Sequence, residues 1–257
     1  MKILKKIWWL PLLIYMTLIP SFMANKYRHE LCREIKISIK DSMEYRFITP
    51  GSLLSMVQKE KMDILGGELN NIDLERIEDI LNGVRELEEV EVFTTADGVL
   101  HIDADQRDPM MRVITSYGNN YYIDKNGFVI PHSITFTPRL IVVSGNISVP
   151  DSCILGKNIF EQDENSIVKQ TFRMVEYING DEFWSRLIEQ IWINEKGEFE
   201  LVPRVGEHLV KFGSADDFEW KFRILRTFYK EKIPAVGWDK YDEIDMRFNG
   251  QLVCTRK

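Results

Sequence analysis

The chain has 257 residues, 44% of them hydrophobic and 28% charged, with a formal net charge of -7, which leaves room for one large or two modest domains. Residues 1–28 hold five Lys/Arg and no acid, so the remainder sets 28 basic against 40 acidic residues; a body this acidic, with no basic patch laced with aromatics, excludes a nucleic-acid partner. The three cysteines, Cys32, Cys153 and Cys254, are odd in number and far apart, which excludes a disulfide framework and a CxxC-type zinc site.

The chain begins with the basic stretch MKILKK, followed by eighteen uncharged residues, Ile7–Ala24. That run is close to the roughly 20 residues a helix needs to span a bilayer, with Trp8 and Trp9 where an interfacial aromatic belt falls. A cleaved signal peptide has the same basic and apolar regions, but Phe22-Met23-Ala24 lacks the small-x-small pattern of a cleavage site. An uncleaved anchor over 7–24, preceded by a cytoplasmic tail over 1–6, is therefore the expectation, with the acidic bulk outside the cytoplasmic membrane.

Beyond it, CREIKISIKDS alternates Ile35, Ile37 and Ile39 against charges, the pattern of a half-buried strand. Thr49 and Pro50 form an N-cap and a first helical residue, and Leu53, Leu54 and Val57 share the next helical face. A second helix starts near Asp73, with Ile72 and Ile77 spaced as a hydrophobic staple and Leu74, Ile77, Leu81 and Val84 as its stripe. VEVFTT and VLHIDAD then alternate across Ala96-Asp97-Gly98, a hairpin signal. Strand, helix, helix, strand, strand make one small α+β domain over 31–106.

After QRDP the pattern changes to hairpins. YGNNYYIDKNGFVIP turns at Lys125-Asn126-Gly127, RLIVVSG is an apolar strand, and IEQIWINEKGEFELVPR turns at Glu195-Lys196-Gly197. A helix is expected from about Gln162 through Asn179, with Ile167, Phe172, Val175 and Ile178 inward. Another, SADDFEWKFRILRTFYKEK, is expected to be capped by Ser214 and to bury Phe218, Phe222, Leu225 and Phe228.

Catalytic chemistry finds no footing. His101, Asp103 and Asp105 share a strand face, which a solvated polar face explains without a metal or an acid/base pair. His29, His132 and His208 stand alone, and no phosphate loop, GxSxG elbow or HExxH occurs. Neither an enzyme, a metal, a cofactor nor a small-molecule substrate is expected.

The C-terminal stretch WDKYDEIDMRFNGQLVCTRK alternates, meets Asn249-Gly250, and then runs to Lys257. With a two-residue turn there, Phe248 faces Gln251, Arg247 faces Leu252, Met246 faces Val253, Asp245 faces Cys254, Ile244 faces Thr255 and Glu243 faces Arg256. This register puts Ile244, Met246, Phe248 and Val253 on the core face. It leaves Leu252 and Cys254 on a polar face with a Glu243–Arg256 ion pair. A strand so placed is expected to be a sheet edge, covered on its polar face by the domain itself or by a partner.

The order of elements resembles the bacterial cell-division family FtsQ/DivIB. The likeness is carried by LEEVEVFTTADGVLHIDADQRDPMMRVI, similar to the signature of a POTRA domain, and by YYIDKNGFVIP, FGSADDFEWKFRILRTFYK and GWDKYDEIDMRFNGQLVC, similar to the family's hairpin, penultimate helix and closing strand pair. The resemblance implies an α+β fold: a transmembrane helix, a POTRA-type β-α-α-β-β domain, and a β-rich domain over 107–257 with helices packed on a mostly antiparallel sheet. It implies a non-enzymatic, single-pass scaffold of the divisome in the inner membrane at the septum, with its N-terminus inside and its bulk in the periplasm. FtsB- and FtsL-type single-pass proteins and other divisome membrane proteins are the partners it implies, an FtsB-type strand adding to the last strand. Arg247, Phe248, Gln251, Leu252, Val253, Cys254, Thr255 and Arg256 are then the partner-binding residues, with Arg247 the candidate to meet a partner carboxylate. A periplasmic POTRA protein assisting outer-membrane assembly or secretion is the alternative; such proteins usually carry a β-barrel or several POTRA copies.

Overall fold

The computed structural model describes residues 15–16, 30–40, 46–60, 64–133, 136–148, 155–161, 166–248 and 250–257. The chain divides into two compact units between Gln106 and Arg107. The expected anchor lies outside the described residues except for Tyr15 and Met16, as does Cys153. Among the described residues no helix is long and apolar enough to cross a membrane.

The first unit runs β1 (Glu34–Ile39), α1 (Pro50–Lys59), α2 (Leu74–Asn82), β2 (Leu87–Thr95) and β3 (Val99–Gln106). Its sheet has the order β1-β3-β2, with β1 parallel and β2 antiparallel to β3. Both helices start where capping chemistry allows. Thr49 accepts from the Ser52 N–H while the Ser52 hydroxyl accepts from the Thr49 N–H, and Asp73 accepts from the Arg76 N–H. Leu53 and Val57 of α1 and Ile77 and Leu81 of α2 are buried against Leu100, Ile102 and Ala104 of β3. Both edges of this sheet carry charge, and the free N–H of Val92 on β2 is taken by the Glu78 carboxylate at 3.1 Å.

The second unit opens with β4 (Pro109–Ile114), β5 (Asn120–Asp124), β6 (Val129–Pro131) and β7 (Ile141–Gly145). It continues through α3 (Ile167–Asn179), α4 (Glu182–Leu187), β8 (Ile188–Ile193), β9 (Phe199–Pro203) and β10 (Leu209–Gly213). It closes with α5 (Phe218–Glu231), α6 (Ile233–Val236), β11 (Tyr241–Asp245) and β12 (Val253–Arg256). The nine strands form one sheet in the order β12-β11-β10-β9-β8-β7-β4-β5-β6.

The sheet is mixed. Five neighbouring pairs are antiparallel, but β4–β7, β7–β8 and β10–β11 are parallel. The hairpin signals foretell only antiparallel pairs. Parallel neighbours need long crossovers, which here are the β5–β6 hairpin between β4 and β7, α3–α4 between β7 and β8, and α5–α6 between β10 and β11. The sequence pattern also passes over β10 and α4. The latter is started by Asp181, whose carboxylate accepts from the Phe183 and Trp184 N–H groups.

Helix residues Phe172, Val175, Ile178, Trp184, Phe222, Leu225 and Tyr229 form one core with Val143, Ile191, Phe199, Val210, Phe212 and Ile244 of the sheet. Each such side chain contributes on the order of 1.5–3 kcal/mol through burial. Ser214 does not cap α5, contrary to expectation. The helix begins at Phe218 after Asp217, whose φ of 51° is left-handed, and the Ser214 carbonyl instead accepts from Lys221 Nζ at 2.7 Å.

The β5–β6 turn holds a buried ion pair. Asp124, with 1% of its side chain exposed, meets Arg107 at 3.0 Å, and Arg107 also lies 3.7 Å above the Phe128 ring. The same carboxylate accepts from the Asn126 and Phe128 N–H groups at 2.9 and 2.7 Å. Asp124→Ala removes a buried carboxylate from the Arg107 guanidinium and from two turn N–H groups. It should destabilise the second unit by about 3–5 kcal/mol in urea denaturation.

Candidate functional site

An edge strand leaves every second N–H and C=O unpaired, so folded proteins normally shield it. The two edges of the nine-stranded sheet differ in this respect. At β6 the Val129 N–H donates to the Lys157 carbonyl at 3.0 Å, and the Gly156 N–H donates to the Val129 carbonyl at 3.1 Å. That strand then ends in Pro131, which has no N–H to offer. At β12 no strand among the described residues pairs with the outer side.

Which groups of β12 point outward follows from three bonds. The Met246 N–H donates to the Lys211 carbonyl of β10, so Asp245 and Glu243 turn their main chain toward β12. The Gln251 N–H donates to the Phe248 carbonyl and the Lys257 N–H to the Lys240 carbonyl. By strand alternation Val253 and Thr255 therefore bond inward, while Cys254 and Arg256 direct N–H and C=O to the open side.

The register differs from the one read off the sequence. Asp245 faces Val253, Ile244 faces Cys254 and Glu243 faces Thr255, a slip of one residue that exchanges the two faces. Val253 and Phe248, expected inward, are 43% and 53% exposed, whereas Leu252 and Cys254, expected on the polar face, pack against the core. The expected Glu243–Arg256 pair is absent, and Glu243 instead meets Lys211 at 2.6 Å. Ile244 and Met246 are buried as expected.

The cause is local. Gln251 closes a turn on Phe248 around Gly250, whose φ is +71°, with Asn249 outside the described residues. Between that turn and the ladder, one strand spends two residues, Met246 and Arg247, against one, Leu252, on the other. That extra residue lies between the ladder and the turn, whereas the ladder's own irregularity falls between Tyr241 and Glu243. Asp245 holds the extra residue in place: its carboxylate accepts from the Arg247 N–H at 3.0 Å and from Arg247 Nη2 at 2.6 Å. Arg247 Nη1 also reaches Glu198 at 3.4 Å. The hydrogen bond from Arg247 and its charge hold the Asp245 carboxyl below the usual range. So Arg247, expected to await a partner's carboxylate, is already paired within the chain.

Beside the edge, Asp217, Trp220, Arg223, Met246, Arg247 and Phe248 line an open groove. Trp220 and Arg223 were passed over in the sequence, although Trp220 stands off the apolar stripe of α5 and is 40% exposed. The Cys254 thiol is pushed up by burial, and Cys32 and Cys254 are both free. Among the described residues no group of three His, Cys, Asp or Glu is placed to hold a metal.

The far end of the same layer is pinned by His208, which is 3% exposed. Its Nε2 lies 2.7 Å from the Tyr229 hydroxyl, and Tyr229 stacks on Trp238 just ahead of β11. Neighbouring Glu207 pairs with Lys257 at the end of β12. Burial lowers the His208 pKa from 6.5, against smaller opposing effects of Trp238 and Asp239, while burial raises Tyr229 above its ordinary range. The folded protein thus binds the imidazole proton less readily than the unfolded chain. This contribution to stability is whole above pH 6.5 and fades as pH falls below it. From about pH 7.5 to about pH 5 the unfolding midpoint should drop more for the native protein than for His208→Gln; equal drops would count against the assignment.

Proline separates the two sides of β12. Arg256→Pro removes an outward N–H and should leave the melting temperature nearly unchanged. Thr255→Pro removes an inner one and should cost on the order of 1–3 kcal/mol.

Family models match both parts of the chain. Residues 108–255, more than half of its length, match the family described as FtsQ/DivIB, C-terminal related. Residues 30–105 match a POTRA-like domain. A comparison with curated proteins found no match.

Proposed function

Since the chain belongs to the FtsQ/DivIB C-terminal-related family, we propose that it is a non-enzymatic, single-pass membrane scaffold of the bacterial divisome that binds FtsB- and FtsL-type proteins through β12. One observation carries the reading: of the two edges of the nine-stranded sheet, β6 is covered by residues Gly156–Ile159 of its own chain, and β12 is left uncovered among the described residues. Strand addition takes affinity from main-chain bonds and selectivity from alternate side-chain contacts. Here the outward main-chain groups of Cys254 and Arg256 would supply the first. Exposed Val253 and Phe248, with the groove at Trp220 and Arg223, would supply the second. Gln251, Leu252 and Thr255 set the path of the strand, and Arg247 bounds the groove from the sheet side.

The basic start and the uncharged run over 7–24 favour an inner-membrane anchor with the two domains in the periplasm at the septum. The POTRA-like unit would then serve recruitment to midcell. Membrane pull-downs with an FtsB-type partner test the edge. Arg256→Pro and removal of residues 251–257 should each abolish capture while circular dichroism stays that of a folded protein. Full-strength capture by either folded variant would refute the docking site, and absence of a fluorescent fusion from midcell would refute the divisome assignment.

A further inference from the structure

A strand that docks a partner through its edge must present the right alternate residues, and a slip of one position exchanges them all. The sequence around β12 supports two registers. Asn249-Gly250 suits a two-residue turn that would set Met246 against Val253 and Asp245 against Cys254. The fold instead sets Asp245 against Val253 and Ile244 against Cys254.

What separates them is the single extra residue accommodated at Met246–Arg247, and the contacts there are dense. The Asp245 carboxylate takes the Arg247 main-chain N–H and Nε on Oδ1, both at 3.0 Å, and Nη2 on Oδ2 at 2.6 Å. A carboxylate capturing the N–H two residues on is a turn, which a continuous strand cannot form. Gly213, at the end of β10, makes room for it. A Cβ there would sit 3.0 Å from Arg247 Cγ. Glu198, in the turn between β8 and β9, holds the guanidinium from the other side.

We infer that Asp245 and Arg247 form an internal clamp that selects the register of β12, making Arg247 a positioning residue for the docking strand and not its charge partner. The docking role itself rests on the function proposed above; the register does not. Without the clamp the strand falls back by one residue into the Asn-Gly hairpin. Cys254 and Leu252 then turn to solvent, Val253 turns to the core, and the outward main-chain groups become those of the other parity.

Cys254 is a built-in reporter. Maleimide labelling of the full chain, read at the level of the Cys254 peptide by mass spectrometry, leaves Cys32 and Cys153 in place. Asp245→Ala should raise labelling at Cys254 by roughly tenfold, and in a Cys254→Ser background carrying Val253→Cys the same change should slow labelling at 253 by a similar factor. This opposite movement marks a slip. Equal rates at both positions, or faster rates at both from simple fraying, would overturn the inference. Should Asp245→Ala fail to fold, Arg247→Ala is read in the same way, and Asp245→Asn, which keeps an acceptor for the Arg247 N–H, should retain most of the native pattern. Partner capture does not enter this measurement, so failure of the clamp and failure of the docking site are separable.

Discussion

Every strand residue except proline brings an N–H as well as a C=O that must be bonded or left to water, and the C-terminal unit meets this demand unevenly. At β6 the segment Gly156–Ile159 bonds to the edge and Pro131 ends it. At β12 the same groups are left unpaired among the described residues. The rest of the unit works to bring one short strand to that position and to fix which of its residues face outward.

The helices provide the position. α5 and α6 carry the chain from β10 back to a parallel β11, because a hairpin cannot join parallel neighbours. Phe222, Leu225 and Tyr229 seat the crossover on the sheet. β11 therefore lands outside β10, and its antiparallel return places β12 outermost. His208, Tyr229 and Trp238 brace one end of this layer, and Asp245, Arg247 and Glu198 brace the other. A member of the FtsQ/DivIB-related family acts as a scaffold, and what this layer presents is an edge and an open groove.

Much of the local structure was legible because its causes are local. Thr49 and Asp73 start their helices by bonding N–H groups three residues on, and Gly98, at φ +87°, turns the β2–β3 hairpin. Elements governed by distant contacts were not legible. Ser214 has the chemistry of a cap, yet its carbonyl is engaged by Lys221 and the helix starts four residues later. β10 is only five residues long and owes its pairing to β9 and β11 on either side. Trp220 was visible as an aromatic off the stripe, but its neighbour in the groove, Phe248, is brought beside it only by the fold.

The last strand divides the two kinds of information most clearly. Alternation, an Asn-Gly turn and a final apolar-polar run were enough to determine that a hairpin closes the unit and to place its turn. Register was beyond them, because Leu252, Val253 and Cys254 are consecutive apolar residues, so either face of the strand could serve the core and alternation does not separate two registers slipped by one residue. Tertiary contacts joined the local Asp245–Arg247 pair in breaking the tie: Lys211 bonds to Met246, Glu198 meets Arg247, and Gly213 leaves it space. Together they insert one residue into one strand, and that decides which side of β12 meets the core and which meets solvent.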